Sequence, residues 1–143
     1  MALKGQHFFA IVLVFLLDQV SKLLVKSFIS QPVELLPFLK ILFVKNVGVS
    51  FGLLQYDVLR WLFVAIAVVV IVGLLQLAKK ERDGFVLSAY SLIIAGAAGN
   101  ALDRIIYGYV IDFVAIGWWP AFNGADTALT LGVLALFYRS WHD

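Results

Sequence analysis

The sequence predicts an all-α membrane protein with a small β element, built on four transmembrane helices. Three observations carry that expectation. Of 143 residues 63% are hydrophobic and only 14% charged, with 11 Lys+Arg against 9 Asp+Glu, where a soluble domain holds about a quarter charged residues. The mean hydropathy of +0.99 is more than one core of this size can bury, and it excludes disorder as well. The third observation is spacing: four apolar segments approach the roughly 20 residues that cross a hydrocarbon core of about 30 Å.

The first span covers 7–28 and opens on the unbroken apolar stretch Phe8 to Leu17. It is expected to be retained rather than cleaved as a signal peptide, since no small-x-small site follows and Asp18 and Lys22 interrupt the pattern. The second, 58–77, has no charge after Arg60. The third, 85–102, is rich in small residues (Ala89, Ala95, Gly96, Ala97, Ala98, Gly99). Small residues let helix backbones approach closely in lipid, which places this span at the centre of the bundle. The fourth, 125–141, is the shortest. No internal repeat or linker divides the chain, so one domain, 1–143, is expected.

Four spans put both termini on one side. Lys79, Lys80 and Arg82 sit in the short connection between spans two and three. With Lys4 and Arg139 they outnumber Lys26, Lys40, Lys45 and Arg60 on the other side. The clustered short loop decides the orientation, with both termini cytoplasmic and the longer connections outside. Within the first outer connection, Phe38 to Lys45 is β-prone after Pro37, and Asn46-Val47-Gly48 is turn chemistry. Val49 to Leu53 would return as a second strand, giving an outer β-hairpin over about 33–56.

Polar residues at membrane depth are costly and mark function by default. Asp18 and Lys22 stand at i, i+4 and can pair, either as a structural ion pair or as a brace for another polar group. Asn100, Asp103 and Arg104 share a face at the end of the third span. An Asp–Arg pair there would be ordinary anchoring, but a buried Asn100 must find partners. Trp118 and Trp119 suit interfacial anchoring.

Asp112 and Asp126 are the candidate catalytic pair. Asp112 lies in the apolar run Val110-Ile111-Asp112-Phe113 with no neighbouring base. Asp126 follows Asn123 at the start of the fourth span, where a helix cap is the plainer reading. Gly117, Pro120 and Gly124 in the intervening stretch let the two meet. Two carboxylates at short range in low dielectric cannot both ionise cheaply, so one serves as base and the other as acid. This is aspartyl-protease chemistry. His7 and His142 lie at the opposite ends of their spans, which removes a His triad or a zinc site. Zero cysteine removes thiolate sites, and no phosphate-binding Gly loop is present. A net charge of +2 gives no ground for nucleic acid. The competing class, a transporter subunit or assembly factor, would spread its charges along the spans rather than gather them at one face.

These motifs resemble the lipoprotein signal peptidases, or type II signal peptidases, along nearly the whole chain. The match lies in Leu17 to Lys22, Asn46 to Gly52, Gly99 to Arg104 followed by Gly108 to Phe113, and Pro120 to Asp126. The resemblance implies a bacterial inner-membrane aspartyl endopeptidase with its site near the outer leaflet. It would remove signal peptides from diacylglyceryl-modified prolipoproteins, cutting N-terminal to the lipidated cysteine. Its fold would be four transmembrane helices plus an extracytoplasmic β-cradle. Asp112 and Asp126 would be catalytic, with Asp18, Lys22, Asn46, Gly48, Asn100, Asp103, Arg104 and Asn123 lining or bracing the pocket. No cofactor or metal is implied; the partners are the prolipoprotein and membrane lipids, and a monomer is expected. The chain departs from the family pattern at Gly124, where Val or Ile is common, at Thr127, where Ser is common, and over 114–119, a shorter stretch that implies a reduced flap.

Overall fold

A computed structural model describes residues 5–48 and 56–142. Four helices alternate with a small sheet: α1 (Gly5–Phe28), β1 (Val33–Leu36), β2 (Leu39–Asn46), α2 (Tyr56–Ala78), α3 (Gly84–Tyr107), β3 (Val110–Ile116) and α4 (Gly124–Trp141). Three helices are long and apolar enough to cross a membrane, over Gly5–Phe28, Asp57–Ala78 and Gly84–Tyr107. The fourth helix, carrying Asp126 and Arg139 near its ends, is not among them.

α3 is the hub that its small residues predict. It packs on all three other helices, and its Ala89, Ala95, Gly96, Ala97 and Gly99 are buried. A Cβ added at Gly96 would stand 2.4 Å from the Ala125 carbonyl, and one at Gly132 would stand 2.8 Å from the Ala89 carbonyl. α3 and α4 therefore run at backbone contact, a spacing that only glycine permits. The outward faces stay apolar: Phe9 is 65% exposed, Val69 70% and Phe137 66%. Such faces belong in hydrocarbon, not water.

α3 continues past the expected end at Leu102 to Tyr107, because Asp103 and Arg104 lie within the helix rather than beyond it. It stops where Gly108 takes φ 83 and donates its N–H to the Arg104 carbonyl. At its other end Asp83 caps the helix and accepts from Arg139 Nε of α4 at 2.8 Å. This pair joins the short basic turn to the end of α4.

The strand expected after Pro37 is present as β2, but it is the central strand of a three-stranded antiparallel sheet in the order β1-β2-β3. Its partners are the upstream β1 and the distant β3, in which Val44 faces Asp112 and Asn46 faces Val110. Asn46 Oδ1 accepts the Gly48 N–H at 2.8 Å, the expected turn chemistry. The returning strand expected over Val49 to Leu53 lies outside the described residues. After β3 the chain closes a short loop in which Phe122 and Val114 bridge. Gly117 pins that loop by donating to the Phe38 carbonyl at 2.8 Å.

Candidate active site

The sheet and the adjoining helix ends gather nearly every polar residue that the sequence singles out. Each is positioned by a local rule. Asp112 leaves β3 on the buried side, opposite Val44 of β2. Asn123 has the extended backbone of an N-cap, and its Oδ1 accepts the Asp126 N–H at 2.8 Å. Asp126 replies with Oδ2 toward the Asn123 N–H at 3.3 Å, completing a capping box. The cap reading of Asp126 is therefore correct, and the same cap holds its carboxylate beside the sheet.

Asparagine side chains bind both carboxylates. Asp112 Oδ2 accepts from Asn46 Nδ2 at 2.8 Å, and Oδ1 accepts from Asn123 Nδ2 at 2.7 Å. Asp126 Oδ1 accepts from Asn100 Nδ2 at 2.7 Å. Asn123 Nδ2 also reaches Asn100 Oδ1 at 3.1 Å and the Ile111 carbonyl at 3.2 Å. Asn123 thus touches both aspartates, one through its side-chain amide and the other through its cap. Asp112 is fully buried, whereas Asp126 is partly exposed. Burial pushes the Asp112 carboxyl up to about 6; the Asn46 amide pulls it back, the Asp126 charge adds to the rise, and Asn123 and Lys22 oppose it.

Beneath this pair lies a buried ionic knot. Lys22 Nζ meets Asp18 Oδ2 at 2.7 Å, Asp103 Oδ2 at 3.0 Å and Asn100 Oδ1 at 3.1 Å. Asp103 Oδ2 also accepts the Ile111 N–H at 3.0 Å, which locks β3 next to Asp112. Asp18 Oδ1 accepts the Ala125 N–H at 2.7 Å, which locks the first turn of α4 next to Asp126. One lysine and two carboxylates so tie both candidate elements to α1. The Asp18–Lys22 pair forms as its spacing predicts. The Asp103–Arg104 alternative does not: Asp103 turns to Lys22, while Arg104 reaches the Asn100 carbonyl at 3.4 Å and lies over the Phe63 ring, 4.8 Å from its centroid.

Gln19 is the member the sequence reading missed. Its amide bridges Asp103 Oδ1 at 3.1 Å, Asp18 Oδ2 at 3.2 Å and the Gly99 carbonyl at 3.3 Å. Its signal was an amide inside an apolar span, next to Asp18. His7 sits about 16 Å along α1 from Asp18, at 1.5 Å per residue, remote from the cluster. The two carboxylates open onto separate cavities: about 360 Å³ bounded by Lys45, Asn46, Gly48, Asp112 and Pro120, and about 300 Å³ beside Asp126.

Apolar helices with a polar knot at one end and a small sheet over it make the architecture of a membrane enzyme. The chain superposes on a bacterial membrane enzyme solved by the in meso method at 1.9 Å with a TM-score of 0.91 at 31% identity, covering 99% of this chain and 96% of that one. Residues 10–142 match the family described as signal peptidase (SPase) II. The lipoprotein signal peptidase of Thermodesulfovibrio yellowstonii is 42% identical over 137 residues, 92% of this chain and 91% of that protein. The one from Halothermothrix orenii is 40% identical over 139 residues, 94% of each. The chain belongs to the signal peptidase II family, a family of hydrolases.

Proposed function

We propose that this protein is a membrane-embedded aspartyl endopeptidase that removes signal peptides from diacylglyceryl-modified bacterial prolipoproteins, cutting N-terminal to the lipidated cysteine. The observation that carries the reading is that Asp112 and Asp126, from different elements, meet on one asparagine, Asn123. Asp112, the buried carboxyl raised to about 6, holds the shared proton, and the partly exposed Asp126 acts as base. Asp126 takes a proton from water as the hydroxyl adds to the scissile carbonyl carbon, while Asp112 protonates the carbonyl oxygen. The diol collapses as the C–N bond breaks: Asp126 passes its proton to the leaving nitrogen, and Asp112 recovers one from a diol hydroxyl. Asn46, Asn100 and Asn123 fix the carboxylates, while Asp18, Lys22, Asp103 and Gly48 hold the surrounding backbone. Arg104 walls the site against Phe63.

The same reading takes α4 as a fourth span. Its 18 residues cover about 27 Å, close to the hydrocarbon thickness, and it lies along α3 from Asn100–Asp126 to Asp83–Arg139. Both termini are then cytoplasmic, and the sheet and carboxylates sit at the outer leaflet of the bacterial inner membrane. The enzyme works as a monomer without a cofactor.

The test is incubation of the purified protein in detergent with a lipidated prolipoprotein, the cut read by mass spectrometry. Cleavage directly before the modified cysteine is expected. Asp112→Asn and Asp126→Asn should each lose about 10²-fold or more. A tenth of the activity surviving in either variant would exclude an obligatory pair.

A further inference from the structure

The reaction proposed above gives Arg104 no step, yet its guanidinium interacts with the charges of Asp126, Asp112 and Asp103. It pairs with none of them, since no ion pair among the described residues includes it. Asp103 is already taken by Lys22, Gln19 and the Ile111 N–H. Asp112 and Asp126 are bound by asparagines and by no cation. A guanidinium this close to two such carboxylates has every electrostatic reason to fork onto one of them. What Arg104 touches instead is neutral. Its Nη1 reaches the Asn100 carbonyl at a long 3.4 Å, and its guanidinium carbon lies over Phe63, 4.8 Å from the ring centroid. The neighbouring cation of α2, Arg60, is bound to the Ile105 carbonyl at 2.7 Å.

Phe63 is itself held at its edge. Gly48, at φ 93, presents bare backbone to the ring, and a Cβ there would stand 2.7 Å from Phe63 Cε2. Among the described elements α2 packs on α3 alone, so this side chain carries α2 to the turn of the sheet. That turn ends on the catalytic pair: the Gly48 N–H binds Asn46 Oδ1, and Asn46 Nδ2 binds Asp112. One ring thus lies between the turn behind Asp112 and the guanidinium that Asp112 and Asp126 would otherwise draw in.

We propose that Phe63 is a positioning residue that seats the Arg104 guanidinium on its ring, short of Asp112 and Asp126. This rests on the proton assignment made above and adds what protects it. A ring face attracts a cation yet leaves both carboxylates unpaired. Once released, Arg104 takes the working proton from the pair whichever carboxylate it reaches. On Asp112 it favours the charged form directly; on Asp126 it cancels the negative charge that helps to raise Asp112. The other groups facing Asp112, namely Asn46, Asn123 and Lys22, already favour its charged form and stay in place.

The test uses the full chain in nanodiscs of phosphatidylethanolamine and phosphatidylglycerol, with a lipidated prolipoprotein as substrate. Phe63→Leu and Phe63→Met keep an apolar side chain and remove the ring face. Both should move the falling limb of kcat/KM to lower pH by about one pH unit or more, with KM little changed. A limb that moves up, as a loosened Asn46 turn would move it, overturns the proposal. Melting temperature reads the same carboxyl without turnover. A carboxyl raised to about 6 in the folded protein binds its proton more tightly there than in the unfolded chain, so wild type should melt higher as pH falls through about 6. Phe63→Leu should shrink that rise, and it should have no such effect in an Arg104→Gln background, where no cation is left to release. A ring that served packing alone would lower the melting temperature equally at every pH, with or without Arg104, and that result also overturns the assignment. A smaller rise in melting temperature with an unmoved activity limb keeps the seat of Arg104 and counts against Asp112 as the working acid.

Discussion

Asn46 gives the most direct handle on the proton that the proposed reaction needs. Its amide donates to Asp112 at 2.8 Å and so favours the charged form. Removing that donor leaves burial and the Asp126 charge to push the carboxyl further up from about 6. If Asp112 carries the working proton, kcat/KM falls as pH rises through the upper titration of the pair. Asn46→Ala should move that falling limb to higher pH while lowering the maximum; a limb that stays in place or moves down would assign the proton elsewhere. Stability carries the same sign. A carboxyl whose folded pKa exceeds its unfolded value near 3.8 binds protons more tightly in the native state, so its contribution improves as pH falls through about 6. Wild type should therefore gain thermal stability between pH 7.5 and 5.5, and Asp112→Asn should lose that gain. Asp112 and Asp126 were legible as candidates because a charge among apolar residues has few cheap explanations. Asn123 was legible only as a motif residue. Its contact with both carboxylates depends on the cap of α4 meeting β3, which no local pattern encodes.

At the scale of elements, the helices could be read from length and apolarity, but the sheet could be read only in part. β2 announced itself by composition, yet its pairing with β3 joins residues more than sixty positions apart, and the turn at Asn46–Gly48 pointed to a nearer partner. The end of α3 was misjudged for a related reason: Asp103 and Arg104 look like a membrane boundary until Lys22 and Phe63 give them partners inside the bundle. The central place of α3 was foreseen from its small residues, and its distances to α4 make a prediction. Gly96→Ala and Gly132→Ala both force helices apart, with overpacking costs of about 1–3 kcal/mol. The Gly96 clash falls on the Ala125 carbonyl, next to Asp126, whereas the Gly132 clash falls on Ala89 and Ile93. Both variants should melt lower, but only Gly96→Ala should lose much of the kcat of the protein that remains folded. Gly73→Ala, with open space at its Cβ, should be neutral or slightly stabilising. Equal kcat losses at positions 96 and 132 would mean that helix separation alone, and not the seat of Asp126, controls turnover.

For the whole molecule, the two ends of the bundle differ in their chemistry, and that difference predicts its orientation. The end with the sheet carries spread cations set on rings: Lys26 lies 3.7 Å from the Tyr107 centroid and Lys45 lies 5.2 Å from that of Tyr109. Trp118 and Trp119 stand exposed there, as rings at a headgroup boundary do. The other end concentrates Lys79, Lys80 and Arg82 in one short turn, tied to α4 through Asp83 and Arg139. Short basic loops stay in the cytoplasm, so the turn should face inward and the sheet outward. The chain has no cysteine, so single cysteines report position without background. Lys80→Cys and Ser140→Cys should resist a membrane-impermeant maleimide in intact spheroplasts and react after permeabilisation. Lys40→Cys and Trp118→Cys should react in both. Shared protection of positions 80 and 140 is the decisive result, because it requires α4 to cross the bilayer along with α3. Labelling of position 140 in intact spheroplasts, with position 80 protected, would leave three spans and put the C-terminus outside. Asp126 would then have to be held at the surface by the sheet and the Asp18 contact to Ala125, without a transmembrane α4 behind it.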